Sequence, residues 1–289
     1  MRWRVIVISK RAKLSYKDGY MLVRGDILNT VHLSELGTLV IDSTEVSITS
    51  HLLWELTENK TKIIFCDEKH MPNAELIPYY GCHNSTKKIL TQINWNKDFQ
   101  EIIWTEIVRQ KIINQSGLLK KIGKEEYKLL EEYVNQIERF DITNREGHAA
   151  KVYFNALFGK GFSRDQANKI NTSLNYGYSI ILSAFTKEIT KNGCLTQLGI
   201  WHKNEFNPYN LSCDFMEPFR IIVDEFVFEN QEFSLTLEHR ASLVNLLNRQ
   251  VNIDNKAYYL SNGIETFVKG AIISIERQDI KYMCQYKFK

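Results

Sequence analysis

The spacing of apolar residues changes along the chain, from short alternating runs to longer helical periods. The first run, residues 3–8, is rich in Val and Ile, and the run 15–23 has strand-like residues on both sides of Asp18-Gly19, a dipeptide that favours a β-hairpin turn. Two more β-type runs follow, at 38–41 and 62–65, and a short helical pattern lies between them at 50–56. The first third is therefore predicted to be a small β-rich domain with one helix.

The second part of the chain has helical periods. Pro72 and Pro78 bracket a predicted turn region, and the polar stretch behind them predicts a linker. Beyond it, apolar residues recur at helical spacing in two stripes, 99–113 and 174–189, and Asn192-Gly193 is a typical end for the second. The predicted fold class is α+β, with a β-rich N-terminal domain at 1–82, a linker at 83–94 and a larger all-α domain at 95–289.

Composition narrows the class of protein. The chain has 289 residues, of which 44% are hydrophobic and 25% charged, as in a typical soluble globular protein. Its longest apolar runs are far too short to cross a bilayer, and the N-terminus lacks a signal-peptide core. The five cysteines form no C-x-x-C pair, so neither a disulfide framework nor a zinc ribbon is expected. We expect a cytoplasmic protein without a membrane partner.

The stretch SCDFMEPFR places two carboxylates, Asp214 and Glu217, three residues apart. One interpretation is a helix capping box, in which Asp214 caps and Glu217 reaches back. Pro218 fits that interpretation poorly, because proline is tolerated at the first helical position and disrupts later turns. Capping therefore requires a helix that begins late or is kinked.

Two further residues carry candidate chemistry. On a helix, Glu146 shares the apolar face of Ala149, Tyr153 and Leu157, where a carboxylate must be paired, capped or bound to a metal. The alternative is again a capping box, Thr143-x-x-Glu146. His202 follows an apolar Ile-Trp pair in a segment that reads as a loop, where a structural donor is the alternative to a ligand. Two or three carboxylates with one imidazole suit Mg²⁺ or Mn²⁺ better than a thiolate-preferring ion.

Taken in order, these stretches resemble CRISPR-associated protein one, the integrase and endonuclease of CRISPR adaptation. The resemblance rests on four groups of residues: Asn144-Arg145-Glu146-Gly147 with Ala149-Ala150 and Tyr153-Phe154; Leu174-Asn175-Tyr176-Gly177-Tyr178; Gly199 with His202; and Asp214 with Glu217-Pro218-Phe219-Arg220. The resemblance covers nearly the whole chain. The residues in these motifs are similar to those of family members from type II CRISPR systems.

The resemblance implies a metal site formed by Glu146, His202 and Glu217, with Asp214 as a further catalytic acid. Many family members carry Asp where this chain has Glu217, which leaves open how Asp214 and Glu217 divide the work. The implied reaction inserts captured DNA fragments into a CRISPR array, by attack of a 3′-OH on a phosphodiester, with Mg²⁺ or Mn²⁺ as cofactor. The absence of a nucleotide-binding loop agrees with a transesterification that needs no ATP.

The resemblance also implies partners. These are double-stranded DNA (the prespacer and the CRISPR repeat), a second copy of the chain through the β-rich domain, CRISPR-associated protein two in a heterohexamer, and the effector nuclease and a further adaptation protein of the same locus. DNA of arbitrary sequence has to be held by its phosphates. Six basic residues are candidates for this role: Arg145, Lys151, Lys160, Arg164, Lys203 and Arg220.

Each of these basic residues has an ordinary alternative as a surface charge, and Arg220 could pair with Glu217 one turn away. Two other functions stay open at this point. One is a metal-dependent nuclease on branched DNA, which would use the same residues with water as the nucleophile. The other is a non-catalytic DNA-binding scaffold whose acids are helix caps.

Overall fold

A computed structural model describes residues 4–78, 82–232 and 234–288, so Trp3, where the first predicted strand begins, lies outside them. The chain forms two compact units: Met1–Tyr80 with Thr236–Asn248, and Gly81–Leu235 with Arg249–Lys289. The strands are β1 Arg4–Ile8, β2 Ala12–Lys17, β3 Tyr20–Arg24, β4 Leu28–His32, β5 Leu36–Ile41, β6 Val46–Ile48, β7 Lys62–Cys66, β8 Pro72–Leu76, β9 Gln250–Ile253, β10 Lys256–Tyr259 and β11 Tyr286–Lys287. The helices are α1 Ser50–Glu58, α2 Ser85–Ile93, α3 Lys97–Lys121, α4 Tyr127–Asn135, α5 Arg145–Phe158, α6 Lys169–Lys191, α7 Asn210–Met216, α8 Ile221–Glu229, α9 Leu237–Asn245 and α10 Leu260–Arg277.

The N-terminal unit contains two four-stranded sheets, in the orders β1-β5-β7-β8 and β4-β3-β2-β6. Strands β1, β5 and β7 are parallel, and every residue of the central strand β5 is buried, as expected for a parallel strand covered on both faces. The β2–β3 hairpin turns at Asp18 and Gly19, both with positive φ, as the Asp-Gly signal predicts. Strand β8 begins at Pro72, where the sequence predicted a turn region.

Helix α9 belongs to the N-terminal unit, although the sequence placed residues 236–248 in the helical domain. The fully buried carboxylate of Asp42, just after β5, receives two hydrogen bonds from Arg240 on α9, at 3.1 and 2.9 Å. His70 lies 3.3 Å from the same carboxylate. A buried arginine–carboxylate pair ties this distant helix to the sheet, an interaction that no local pattern in the sequence could indicate.

The second unit is mainly helical and contains all the candidate catalytic residues. Its core includes stacked and edge-to-face rings, among them Phe185, Phe219, Phe267 and Tyr286. The predicted α+β class is confirmed, with one correction to the all-α C-terminal domain. Strands β9, β10 and β11 form a small antiparallel sheet there, because the short run after α9 pairs with the chain terminus.

The segment 83–94, predicted as a linker, contains helix α2. Its Gln92 is buried and hydrogen-bonds the loop behind α6, donating to the carbonyls of Leu195 and Leu198 and accepting from the Leu195 amide. All five cysteines are free. In the described part of the chain, no helix combines the length and the apolar character that a membrane span requires.

Candidate active site

Asp214 lies near the end of α7 and is fully buried. Its Oδ2 accepts hydrogen bonds from the amides of Ile200 and Trp201, at 2.5 and 3.1 Å. Its Oδ1 accepts from the His202 amide at 3.1 Å and from the imidazole Nδ1 of His202 at 2.7 Å. This carboxylate therefore holds a whole loop, and it fixes Nδ1 of His202 as a donor, which leaves Nε2 as the nitrogen available to a ligand.

His202 is predicted from the sequence as a ligand, and its ring is held at the surface of the second unit with 38% of the side chain exposed. The hydrogen bond to Asp214 is the main reason that the pKa of His202 is raised, and it outweighs the effect of burial. The ring also meets Trp104 edge-on, and Trp104 stacks on Trp201. The imidazole is thus oriented from two sides before any ligand binds.

Glu217 begins a short 3-10 helix, Glu217–Phe219, between α7 and α8. Pro218 therefore sits where the regular α-helix is interrupted, which resolves its poor fit to a continuous helix. Arg220 donates its Nε–H to Glu217 Oε1 at 3.0 Å, so the predicted alternative for Arg220, pairing with Glu217, is confirmed. Asp214 and Glu217 do not form the capping box that the sequence suggested, because Asp214 accepts from the loop 200–202 and α8 begins only at Ile221.

Glu146 lies in the first turn of α5. The helix is capped by Asn144, whose side chain accepts from the Gly147 amide, and by Asp141, which accepts from the amides of Arg145 and Glu146. The predicted Thr143 capping box is therefore wrong: Thr143 Oγ1 is buried without a partner. The side chain of Glu146 therefore does not cap its helix and instead accepts a hydrogen bond from Lys111.

Lys111, on the long helix α3, connects the two glutamates. Its Nζ donates to Glu146 Oε1 and to Glu217 Oε2, the latter at 2.5 Å. Burial alone would raise the pKa of Glu217, but Arg220 and Lys111 outweigh it and lower this pKa to about 2. Burial opposes the charge on Lys111 as well, yet the two glutamates raise its pKa above the ordinary value. The site is therefore a compact cluster of ionised groups.

Sequence reasoning missed Lys111, although its position carried a signal. Lys111 continues the helical stripe of Ile103 and Ile107, both fully buried, so a lysine at that position must find partners inside the protein. Asp224 was missed in the same way, within the apolar run of α8. Its carboxylate accepts from the hydroxyls of Tyr153, at 3.0 Å, and Tyr178.

Three of the six predicted DNA contacts are already engaged within the protein. The Arg164 guanidinium donates to Asn171 and Asn175, the latter at 2.6 Å, and lies over Tyr178. Arg220 also lies over the Tyr178 ring, 4.7 Å from its centroid, in addition to pairing with Glu217. Arg145 lies over the Tyr133 ring, at 5.5 Å. These arginines have structural roles whatever else they bind.

The other three candidates, Lys151, Lys160 and Lys203, are exposed. Lys203 follows His202 directly and lines a cavity of about 710 Å³ next to the His202 loop. Exposed Phe206 and the buried Gln92 and Trp95 line the same cavity. Of the residues in the second family-like stretch, Tyr176 and Tyr178 are buried in the core, whereas Asn175 is exposed and accepts a hydrogen bond from Arg164.

The donor set offers two carboxylates and one imidazole, which is the chemistry that a hard divalent cation accepts. Across residues 4–78, 82–232 and 234–288, no three His, Cys, Asp or Glu side chains stand together as a ready-made metal site. Instead, the Lys111 ammonium bridges Glu146 and Glu217. One ammonium thus offsets part of the negative charge of this carboxylate pair, and Arg220 pairs with Glu217 as a second cation.

Comparison with known sequences finds one family, both in a family model and in individual relatives. The family model for "CRISPR associated protein Cas1" matches residues 5–232. A protein of Neisseria meningitidis serogroup C, named CRISPR-associated endonuclease Cas1, is 31% identical over 98% of this chain and 95% of its own length. A protein of Francisella tularensis subsp. novicida, named CRISPR-associated endonuclease Cas1 1, is 25% identical over 76% of each chain.

Solved structures share the fold. A Cas1 protein from Thermotoga maritima matches 94% of this chain and 97% of its own, with a TM-score of 0.76 and 17% identity. A casposase bound to its integration product matches 96% and 91%, also with a TM-score of 0.76 and 17% identity. A chain of a Cas6-RT-Cas1–Cas2 complex covers all of this chain, which spans 36% of that longer chain. On the family match and the full-length relative, this chain belongs to the Cas1 family of CRISPR-associated proteins.

Proposed function

We propose that this chain is a metal-dependent DNA integrase and endonuclease, which inserts captured DNA fragments into a CRISPR array. The observation that carries the proposal is the convergence of Glu146 and Glu217, from separate elements, on one cationic group, with His202 held nearby by Asp214. The names of the relatives, as endonucleases, and the fold shared with a casposase on its integration product support the same reaction class.

In this proposal, Glu146, Glu217 and Nε2 of His202 would hold Mg²⁺ or Mn²⁺. When bound, such an ion polarises phosphoryl oxygens and stabilises the negative charge that builds up at phosphorus. Asp214 is a positioning residue, because its oxygens are filled by donors of the His202 loop. Arg220 holds Glu217 in place through Oε1.

The reaction exchanges one ester for another. The 3′ oxygen of the captured DNA attacks a backbone phosphorus of the repeat, and a new P–O bond forms as the bond to the 3′ oxygen of the repeat strand breaks. The attacking hydroxyl loses its proton and the leaving oxygen gains one, so no nucleotide cofactor is consumed. With water as the attacking group, the same residues would cleave DNA without joining it.

We further propose that exposed Lys151, Lys160 and Lys203 contact DNA phosphates, since backbone contacts suit captured DNA of arbitrary sequence. Lys203 stands beside the cavity next to His202, which has room for the end of a strand. Arg145, Arg164 and Arg220 would instead shape the site through their internal partners.

The assembly is part of the proposal. We propose a homodimer that binds CRISPR-associated protein two in a heterohexamer in the cytoplasm, where the array is located, with the effector nuclease and another adaptation protein of the locus as further partners. The fold shared with a chain of a Cas6-RT-Cas1–Cas2 complex supports CRISPR-associated protein two as a partner. Light scattering on the chain alone and with the Cas2 protein of its own locus tests both stoichiometries.

A joining assay tests the reaction. Purified protein, with its small partner, is mixed with supercoiled plasmid carrying the array, short DNA with 3′-OH ends, and Mg²⁺ or Mn²⁺. Wild type is compared with Glu146→Ala, and with Glu131→Ala as an exposed control on α4. We expect joined product with wild type and the control, and none with Glu146→Ala or after chelation by EDTA, while circular dichroism shows folded protein throughout.

Other outcomes have clear meanings. An assembled wild-type complex that cuts DNA without ever joining it would support the nuclease on branched DNA. Joining by folded Glu146→Ala at the wild-type rate would remove Glu146 from the site. DNA binding by the wild type without any cutting or joining would leave the scaffold function.

A further inference from the structure

Lys111 is unusual because a lysine ammonium occupies the centre of a carboxylate site. Only 10% of its side chain is exposed, and both of its partners face it from other elements, α5 and the 3-10 helix that begins at Glu217. The two contacts use Oε1 of Glu146 and Oε2 of Glu217. These are oxygens that would otherwise be available to a divalent cation.

The charges of the cluster balance without a metal. Two carboxylates, Glu146 and Glu217, are matched by two cations, Lys111 and Arg220. A divalent ion entering this cluster with Lys111 in place would add like charge next to the ammonium, in a buried setting where repulsion is poorly screened. One of the two cations must therefore withdraw for a metal to bind well.

The geometry identifies Lys111 as the group that withdraws. Arg220 is fixed on a second side, because its guanidinium lies 4.7 Å from the centroid of the Tyr178 ring, and Tyr178 in turn donates to Asp224. Lys111 has a flexible four-carbon stem and a compact head whose partners are the two glutamates alone among the contacts described for it. Its ammonium can leave the carboxylates without dismantling another contact.

We propose that Lys111 is an internal counter-ion that competes with the divalent metal for Glu146 and Glu217, and that metal loading displaces its ammonium from both carboxylates. The inference rests on the proposed function, since it takes these carboxylates as the metal ligands. Lys111 is thus a positioning residue: it holds the two glutamates together in the metal-free protein and sets how tightly the metal binds.

Replacing Lys111 with methionine tests the competition, because methionine keeps much of the side-chain volume and removes the charge. Mn²⁺ is titrated into metal-free protein, and free Mn²⁺ is followed by electron paramagnetic resonance. We expect Lys111→Met to lower the Kd for Mn²⁺ by about tenfold or more. Lys111→Arg, which keeps the charge, and Lys120→Met, at an exposed position of the same helix, should retain the wild-type Kd.

Thermal unfolding gives a second readout that does not depend on activity. Without metal, Lys111→Met leaves the buried Glu217 and the partly buried Glu146 with one cation fewer, so its Tm should fall below that of wild type. Added Mn²⁺ should raise the Tm of Lys111→Met more than that of wild type. Should Lys111→Met fail to fold, Lys111→Gln, which keeps a hydrogen-bond donor without the charge, is titrated in its place.

An unchanged or weaker Mn²⁺ affinity in the uncharged variants would overturn the inference. Lys111 would then either have no effect on metal binding or contribute to the metal-bound site. The proposed function would survive that result as long as wild type binds Mn²⁺ and Glu146→Ala does not. If neither wild type nor the variants bind Mn²⁺, both the inference and the metal dependence fail together.

Discussion

At the scale of single residues, Asp214 and Glu217 have different roles although only two residues separate them. The chain changes from an α-helix to a 3-10 helix between them, so their side chains leave the backbone in different directions. Asp214 points to the loop 200–202 and is saturated by four donors. Glu217 points to Lys111 and Arg220. These partners favour the proposed division of work, in which Asp214 positions His202 and Glu217 is a metal ligand.

We predict that Asp214→Asn lowers the free energy of unfolding by about 3 kcal/mol, because one oxygen that accepts from the His202 loop becomes an NH₂ group facing other donors. The variant should also join DNA slowly, since His202 loses its orientation. Urea unfolding followed by fluorescence measures the first effect. Asp165→Asn, at an exposed position, is the control, and equal stability of the two variants would contradict the role given to Asp214.

At the scale of elements, the loop that presents His202 depends on the absence of a side chain at Gly199. A Cβ there would lie 2.3 Å from the His202 carbonyl oxygen and 2.8 Å from Asp214 Oδ2. The first neighbour is backbone and the second is a carboxylate held by four donors, so neither can move away cheaply. Gly199 allows the loop to close around Asp214.

We predict that Gly199→Ala lowers the Tm and reduces joining, because the loop has to shift away from Asp214. The matched control is Gly117→Ala on α3, where the added Cβ meets only Phe288 at 3.5 Å, an ordinary contact. That substitution should leave stability unchanged or raise it slightly, as alanine is the better helix residue. Differential scanning calorimetry distinguishes the two, and similar Tm changes in both would contradict the steric argument.

Asp224 connects three elements behind the site: its own helix α8, α5 through Tyr153 and α6 through Tyr178. Burial is the main reason that its pKa rises from 3.8 to about 6, although both tyrosine hydroxyls oppose the rise. The folded state therefore holds this proton more tightly than the unfolded state. The ionised carboxylate reduces stability above about pH 6, and this cost disappears as the pH falls toward 3.8.

The prediction is a pH-dependent difference between wild type and Asp224→Asn. The free energy of unfolding of wild type, relative to the variant, should increase by up to about 3 kcal/mol as the pH falls from about 7 to about 4. Urea unfolding at several pH values measures this difference. Asp26→Asn, at an exposed position, should show a much smaller change, and a flat difference for Asp224→Asn would contradict the raised pKa.

At the scale of the whole molecule, the chain crosses between its two units and returns. Residues 236–248 leave the helical unit, pack with the N-terminal sheets, and are followed by the strands of the helical unit. The buried pair of Arg240 and Asp42 holds this excursion in place. Each unit is therefore built from two separate segments of the chain, and a single predicted linker cannot describe this organisation.

We predict that Arg240→Met destabilises the N-terminal unit by about 3–5 kcal/mol, because Asp42 stays buried without its main cation. Hydrogen exchange should quicken in residues 4–78 and 236–248, with little change around Lys111. Arg139→Met, which removes an exposed ion pair with Asp98 and Glu101, is the control and should have a small effect. Faster exchange confined to α9 would contradict the assignment of Asp42 as its anchor.

The sequence by itself determined the α+β class, the β2–β3 hairpin and the long helices α3 and α6, because their apolar periods and turn residues are local signals. It also pointed to Glu146, His202, Asp214 and Glu217 through ordered motifs. Only the tertiary structure decided what these residues contact. Lys111, Asp224 and Arg240 acquire their partners across long stretches of chain, and a charge inside an apolar stripe does not reveal which opposite charge will neutralise it.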